Sequence, residues 1–448
     1  MTATNLRPAQ EQPAGKADRT RALILAAAAR LFRDEGYDAT TMRRIAAAAH
    51  LEAGSVYYHF ASKDMILDEV LRLGVQHVFD AVRQAQEEKL RAGAGFRPTF
   101  AAMIGAHLGR SLRESDFTSA NIRTYSRLPN AKRAPHRPLR RAYAALWDTL
   151  LEGAQASGEL APDIRIGPLR EFVLGAMNWT VEWYDARRHP VEALSERLAR
   201  LLLDGMMTRG GALPAPAGAA PEALAALGGS KSVRTRLQLL AAAARVFRDR
   251  GFRAATMRGI AREAGIQAGS IYYHFGSKDE MLDEVLDAGL HSLLRGMGET
   301  VADPARFPDH RSRIATAIGV HLEYLFRLSD LTSANVRIYG QLPEAVRARH
   351  RPLRRAYGAL WDGWLREAQR AGELRPDIRI VPLRQAMLGA LNWTIEWFDP
   401  GRAGRDGACG LPELTAMLQR VLLDGIGGPD GRAIDQAGGL VARNSSPP

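Results

Sequence analysis

A segment of 23 residues occurs twice in this chain, 215 positions apart. Residues 41–63 read TMRRIAAAAHLEAGSVYYHFASK, and residues 256–278 read TMRGIAREAGIQAGSIYYHFGSK. HRPLRRAYAALWD from His136 returns as HRPLRRAYGALWD from His350, NWTVEWYD from Asn178 as NWTIEWFD from Asn392, and LLLDGM from Leu201 as VLLDGI from Val421. The offset drifts by only a few residues, so insertions between the copies are small. Repetition over most of a chain constrains the architecture before any local reading. One unit of about 200 residues, large enough to bury its own core, has been duplicated and fused.

Composition matters here mainly for what it excludes. No apolar run approaches the roughly 20 residues that cross a bilayer, and the N-terminus lacks a charged-then-apolar leader pattern. The single cysteine, Cys409, rules out an intrachain disulfide framework and fits a reducing cytoplasm, the expected location. A net charge of +12 fits a polyanionic partner, although an Arg- and Ala-rich chain can reach that value without one. G-x-S-x-G, a phosphate loop ending in G-K-[ST], H-E-x-x-H and paired-cysteine spacing are all missing, so neither enzymatic activity nor a metal is expected. His107 and His321 recur on apolar helices, where an isolated histidine is more often a satisfied core group than a base or ligand.

Stretches rich in Pro, Gly and Ala mark loose tails over 1–16 and 427–448 and a linker over 208–232. Between them fall a first helix-turn-helix domain over 17–63, a helical domain over 64–207, and a second such pair over 233–278 and 279–426. A linker of about 25 residues spans roughly 25–30 Å r.m.s. and reaches about 80 Å, which permits pairing of the copies without forcing it.

The pattern predicts an all-α fold. Ile24, Ala28, Leu31 and Phe32, and likewise Leu239, Ala243, Val246 and Phe247, form the buried stripe of an amphipathic helix. Gly36 and Gly251 follow it where a left-handed C-cap belongs, with Tyr37 and Phe252 placed to close that cap. Next come a short helix over 41–49, a turn at His50-Leu51-Glu52 and a second short helix over 55–60, repeated over 256–264, Gly265-Ile266-Gln267 and 270–275. With a small core from Ile45, Ala46, Leu51 and Val56, this is a helix-turn-helix, whose second helix enters a DNA major groove. The following helix starts at Ser62, and Ser277 to Glu280 is a capping-box sequence.

The spacing T-x-R-x-I-A followed by A-G-S-[VI]-Y-Y-H-F-x-S-K resembles the N-terminal DNA-binding domain of the TetR family of bacterial transcriptional repressors, over about 50 residues in each copy. The resemblance implies a double-stranded DNA operator as partner and roles for individual residues. Thr41, Arg43 and Arg44, with Thr256 and Arg258, would meet the DNA from the first helix, where a guanidinium reaches a phosphate or a guanine edge. Glu52, Ala53 and Ser55, with Gln267, Ala268 and Ser270, would open the recognition helix toward base edges. Tyr57, Tyr58 and His59, with Tyr272, Tyr273 and His274, offer phosphate contacts and flat surface for thymine methyls, one tyrosine of each pair being partly buried. Lys63 and Lys278 would meet phosphate at a helix N-terminus.

The copies differ where they would face DNA. Glu52 is acidic and Gln267 neutral, Arg44 becomes Gly259, Ala47 and Ala48 become Arg262 and Glu263, and His50 stands in the turn where Gly265 has no side chain. A non-glycine residue at positive φ is uncommon, though histidine tolerates it better than most. Non-identical half-sites in an imperfect palindrome are therefore expected.

In the C-terminal parts, Trp179 and Trp183, like Trp393 and Trp397, lie four apart, with Asn178 and Glu182, or Asn392 and Glu396, as a polar pair and Trp147 or Trp361 as a wall. These residues suit a small-molecule pocket, and tryptophans at this spacing suit a core or dimer interface equally. The run G-E-L-x-P-D-I followed by N-W-T-x-E-W is similar to TetR-type regulators of fatty-acid and steroid breakdown, which implies an acyl-CoA thioester or another hydrophobic effector and no cofactor. Arg137, Arg140 and Arg141, with Arg351, Arg354 and Arg355, would then meet CoA phosphates, or else form a solvated or coupling face.

The expected function is a ligand-released repressor with two unequal helix-turn-helix units, paired within one chain or between two chains. The alternative is a ligand- or partner-binding protein in which one unit has lost DNA binding.

Overall fold

The computed structural model describes residues 15–114, 116–125, 128–205, 231–252, 254–405 and 409–425, and the expected tails and linker lie almost wholly outside these. Every regular element among the described residues is helical, and none is long and apolar enough to cross a membrane. The chain divides into two compact units, one of residues 1–77 and 114–139, the other of residues 78–113 and 140–448.

The first unit holds α1 (Lys16–Asp34), α2 (Met42–Ala48), α3 (Ala53–His59), the start of α4 (Lys63–Arg91), α6 (Asp116–Thr124) and α7 (Asn130–Arg133). Its core joins Ile24, Ala28 and Phe32 of α1 to Ile45, Val56, Phe60, Leu67 and Ala120. The expected stripe is therefore the buried face of α1. Gly36 takes φ 83° and donates to Phe32 O at 3.1 Å, while the rings of Phe32 and Tyr37 lie 5.5 Å apart, closing the cap. On α6, Asn121 donates to Leu71 O at 2.6 Å and Thr118 to Gly74 O at 3.0 Å. A side chain at Gly74 would strike the main chain of Phe117, so glycine is what lets α6 approach α4 this closely.

The second unit holds the rest of the first copy: α5 (Phe96–Gly109), most of α8 (Arg137–Ala156), α9 (Ile166–Asn178) and α10 (Val191–Asp204). It also holds the whole second copy: α11 (Lys231–Arg250), α12 (Met257–Glu263), α13 (Lys278–Val301), α14 (His310–Glu323), α15 (Asp330–Ile338), α16 (Glu344–Arg370), α17 (Ile380–Trp393) and α18 (Leu411–Asp424). The second copy repeats the first copy's internal bonds. Asn335 donates to Leu286 O at 2.7 Å, Thr332 to Gly289 O at 3.0 Å, and Gly251 takes φ 79°.

Within this unit α9 packs on α17 and α10 on α18, so corresponding helices of the two copies pair inside one chain. The pairing is reciprocal. The indole of Trp393 lies on the α-carbon of Gly175 and that of Trp179 on the α-carbon of Gly389, leaving no room for a Cβ at either glycine. At the ends of α10 and α18, Gly205 and Gly425 take φ 69° and 78°, and a side chain on either would collide with the other copy's main chain. Two cross-copy ion pairs repeat the symmetry, Arg420 with Asp163 and Arg200 with Asp377 at 3.9 Å. Of the two pairings left open by the linker, this structure holds the intrachain one.

The Asn-Trp-Thr runs break the helices instead of continuing them. α9 ends at Asn178 and α17 at Trp393, followed by 3-10 turns over Trp179–Glu182 and Thr394–Glu396. Trp179 and Trp183, although four apart, therefore do not share one α-helical face. The cause is local: the buried hydroxyls of Thr180 and Thr394 donate back to Met177 O and Leu391 O at 2.6 Å, competing with the helical ladder.

Candidate nucleic-acid interface

The first helix of each motif is capped by a threonine. Thr41 Oγ1 accepts the Arg44 N–H at 3.3 Å, and Thr256 Oγ1 accepts the Gly259 N–H at 3.0 Å. Both helices end in the same 6→1 turn, with Leu51 N–H donating to Ala46 O and Ile266 N–H to Ala261 O, each at 2.9 Å. The residue at the left-handed position is His50, φ 57°, in the first copy and Gly265, φ 67°, in the second. A Cβ there costs on the order of 1 kcal/mol, so His50→Gly should stabilise the chain by up to that amount in urea unfolding and Gly265→His should destabilise it similarly.

The recognition elements differ in form. The first is the α-helix α3, with Val56 buried, and the second is a 3-10 turn over Ser270–Tyr273, with Ile271 buried, so the α-helix expected over 270–275 is not formed. Nothing in the structure explains why two nearly identical sequences adopt different turns here. Glu52, Ser55, Gln267 and Ala268 are exposed, while Ala53, Ser270, His59 and His274 are half-buried. The tyrosines depart from expectation. Tyr57 and Tyr272 are 54% and 57% exposed, and Tyr58 and Tyr273 are 85% and 90% exposed, so neither member of a pair is buried. Burial falls instead on Val56 and Phe60, at three- and four-residue spacing from Ala53 and each other, and the tyrosines occupy the opposite face.

Arg43 and Arg258 are exposed and have no partner among the described residues. The other expected cations do have partners. Arg44 bonds to Ala39 O at 3.1 Å and pairs with Glu35, both near the end of α1. The second copy replaces both members of that pair, with Arg250 and Gly259. Lys63 donates to Tyr37 O and Thr40 O, each at 2.8 Å, and lies 4.0 Å over the Tyr37 ring. Lys278 donates to Phe252 O at 2.8 Å and Ala255 O at 2.9 Å, over the Phe252 ring at 4.4 Å. Partial burial lowers the pKa of both lysines. These ammonium groups fasten the loop before the motif through its carbonyls, one of which, Tyr37 O, also accepts the Thr40 N–H at 3.2 Å.

Two further fasteners carry no sequence pattern that would reveal them. Arg21 lies 4.4 Å over the Phe60 ring, and Arg236 lies 4.0 Å over the Phe275 ring while bonding to Glu284 and to His274 O. Each holds the end of a recognition element from 38 or 39 residues away in sequence.

The residues expected to form a pocket fall into three places. Trp147 and Trp361 are wholly buried core residues. Trp179 and Trp393 form the contact between the copies, which corrects their placement in a pocket and satisfies the interface reading. Trp183 and Trp397 are half-buried beyond the helix ends, Glu182 is exposed, and Glu396 pairs with Arg337 at 3.6 Å. Asn392 Oδ1 lies 3.1 Å from His321 Nε2, whose Nδ1 meets the Tyr357 hydroxyl at 2.7 Å. In the first copy His107 Nδ1 meets Tyr143 at 2.6 Å, while Asn178, directed at Nε2, falls outside hydrogen-bonding geometry. Arg354 is not available to a CoA phosphate. Its guanidinium lies 3.6 Å over Tyr339 and donates to Asn335 Oδ1 at 2.6 Å, and burial lowers its pKa to about 10. Arg351 pairs with Glu344 and Arg137 with Asn130.

Two family models match in tandem. That of the bacterial regulatory proteins of the tetR family covers residues 24–70 and 239–285, and that of the tetracyclin repressor-like C-terminal domain covers 97–206 and 308–426. The chain belongs to the tetR family. It is a DNA-binding transcriptional regulator that carries the family's helix-turn-helix domain twice. Over 200 residues it is 32% identical to the HTH-type transcriptional repressor KstR2 of Rhodococcus jostii, covering 43% of this chain and 92% of the relative. It is 24% identical over 162 residues to the fatty acid metabolism regulator protein of Bacillus subtilis, covering 36% of this chain and 80% of the relative. Among solved structures, the ketosteroid transcriptional regulator KstR2 of Mycobacterium tuberculosis aligns with 26% identity and a TM-score of 0.35, over 42% of this chain and 92% of that one.

Proposed function

We propose that this regulator is a ligand-released repressor whose two helix-turn-helix units, joined in one chain, occupy the unequal halves of a single operator. The observation that carries this reading is the reciprocal seating of Trp179 on Gly389 and Trp393 on Gly175, which pairs the copies as two subunits of a dimer would pair. Different residues at Glu52 and Gln267, Arg44 and Gly259, and Ala47 and Arg262 make the halves unequal. Release follows if effector binding in the helical domains prevents simultaneous engagement of both half-sites, since avidity then disappears.

The effector class is a hydrophobic compound such as an acyl-CoA thioester. The relative named for fatty-acid metabolism supports that choice, as does the run G-E-L-x-P-D-I, present in both copies. A thermal-shift series with acyl-CoAs and the free acids should give stabilisation by at least one of them, and none at saturating concentration would sink the effector assignment.

The operator model is tested by solution mass together with nuclease footprinting. One chain per footprint of about two major-groove turns is the expected result, and two chains on a longer site would replace it with a dimer of tandem chains. In the same assay Tyr57→Ala and Tyr272→Ala should each weaken operator binding. Loss from only one of them would favour the reading in which the other unit no longer binds DNA.

A further inference from the structure

The two DNA-reading units differ in charge far more than their shared motif suggests. Residues 16–63 contain eight Lys and Arg against five Asp and Glu, a net +3, whereas the matching residues 231–278 contain ten against two, a net +8. The difference comes from Asp18, Glu35, Asp38, Ala47 and Glu52 standing where the second copy has Val233, Arg250, Arg253, Arg262 and Gln267. Two exchanges run the other way, Arg44 to Gly259 and Ala48 to Glu263.

The structure widens this contrast. Both acids of the second unit are neutralised internally, Asp249 by Arg248 at 2.8 Å and Glu263 by Arg245 at 3.1 Å. Arg250, Arg258 and Arg262 are exposed and have no partner among the described residues. Arg258 and Arg262, four apart, share the outer face of α12, opposite the buried Ile260 and Ala261. In the first unit the situation is reversed. Asp18 and Glu52 are exposed carboxylates with no partner among the described residues, and Asp38 is an exposed carboxylate whose charge acts on Lys63. Arg44 is held by Glu35, and position 47 is alanine. On α2 only Arg43 remains exposed and unpaired.

We infer that the units divide the work: the second anchors the chain on DNA through phosphate contacts made by Arg250, Arg258 and Arg262, and the first adds base-edge discrimination with little phosphate affinity of its own. This rests on the reading that both units engage DNA. Each phosphate neutralised adds about 0.9 to the slope of log affinity against log salt, so the division is visible in the salt dependence. It also implies an order of assembly, with the second unit alone forming the non-specific complex and the first engaging only where sequence permits.

The test uses the full chain and a mixed-sequence duplex of about 30 base pairs, with affinity followed by anisotropy between about 50 and 200 mM salt. Arg258→Ala with Arg262→Ala should reduce the slope by about 2 and lower affinity at least tenfold. Arg43→Ala should leave the slope nearly unchanged, whereas Arg258→Ala alone should reduce it by about 0.9. Replacing Asp18 by Val, Asp38 by Arg and Glu52 by Gln in the first unit, each copied from the second, should raise affinity severalfold and steepen the slope. Circular dichroism melts confirm that every variant is folded. Equal losses from Arg43→Ala and Arg258→Ala, or no gain from the triple exchange, would overturn the division while leaving DNA binding intact. No binding of wild type to any duplex would overturn the DNA reading itself.

Discussion

Leucine at both Gly175 and Gly389 is expected to separate the two helical domains and to remove high-affinity operator binding. Each glycine lies under the indole of the other copy's tryptophan with no space for a Cβ. Overpacking of this kind costs about 1–3 kcal/mol per site, and the two sites sit in one interface, so their effects should couple. Urea unfolding should begin at lower denaturant, and the nuclease footprint should shrink to one half-site. Trp179→Ala placed beside Gly389→Leu should recover part of the loss, because it empties the volume the leucine needs. An unchanged transition and footprint in the double leucine variant would show that the copies do not pair through α9 and α17.

A second large effect concerns acid. His107 and His321 are buried, and burial lowers each pKa from 6.5 to about 4. In the unfolded chain these imidazoles take up protons near pH 6.5, while in the folded chain they remain neutral to about pH 4. The folded state therefore binds fewer protons across that window, and its stability is complete above pH 6.5, falls as the pH drops and levels off near pH 4. The loss amounts to about 3 kcal/mol for each histidine. Denaturant midpoints measured across the window should fall steeply in wild type and less steeply in a His321→Gln variant. Identical pH profiles for the two proteins would show that His321 is not the group responsible.

The fold was open to reading because duplication doubles every local signal. The stripe from Ile24 to Phe32, the C-cap at Gly36 and the turn at His50 each had a second copy to confirm the spacing, and each depends on neighbours within a few residues. The sites were less legible. Arg44 and Lys63 look like unpartnered cations until the loop carbonyls and Glu35 are seen within their reach. One tyrosine of each pair looks partly buried until the core is seen to take Val56 and Phe60 instead. Arg21 and Arg236 carried no signal, since the rings they cover lie far along the chain.

From residues alone came the all-α duplication, the helix-turn-helix, the turn glycines and the unequal charge of the two units, because these depend on periodicity, backbone freedom and counting. Only the tertiary structure decided that the copies pair within one chain, and that Trp179 and Trp393 serve that pairing. It also decided which arginines lack a protein partner among the described residues. Those outcomes depend on which groups meet across long separations, where a glycine must yield space to an indole and a carboxylate must find or miss its guanidinium. Nothing in the local sequence specifies such meetings.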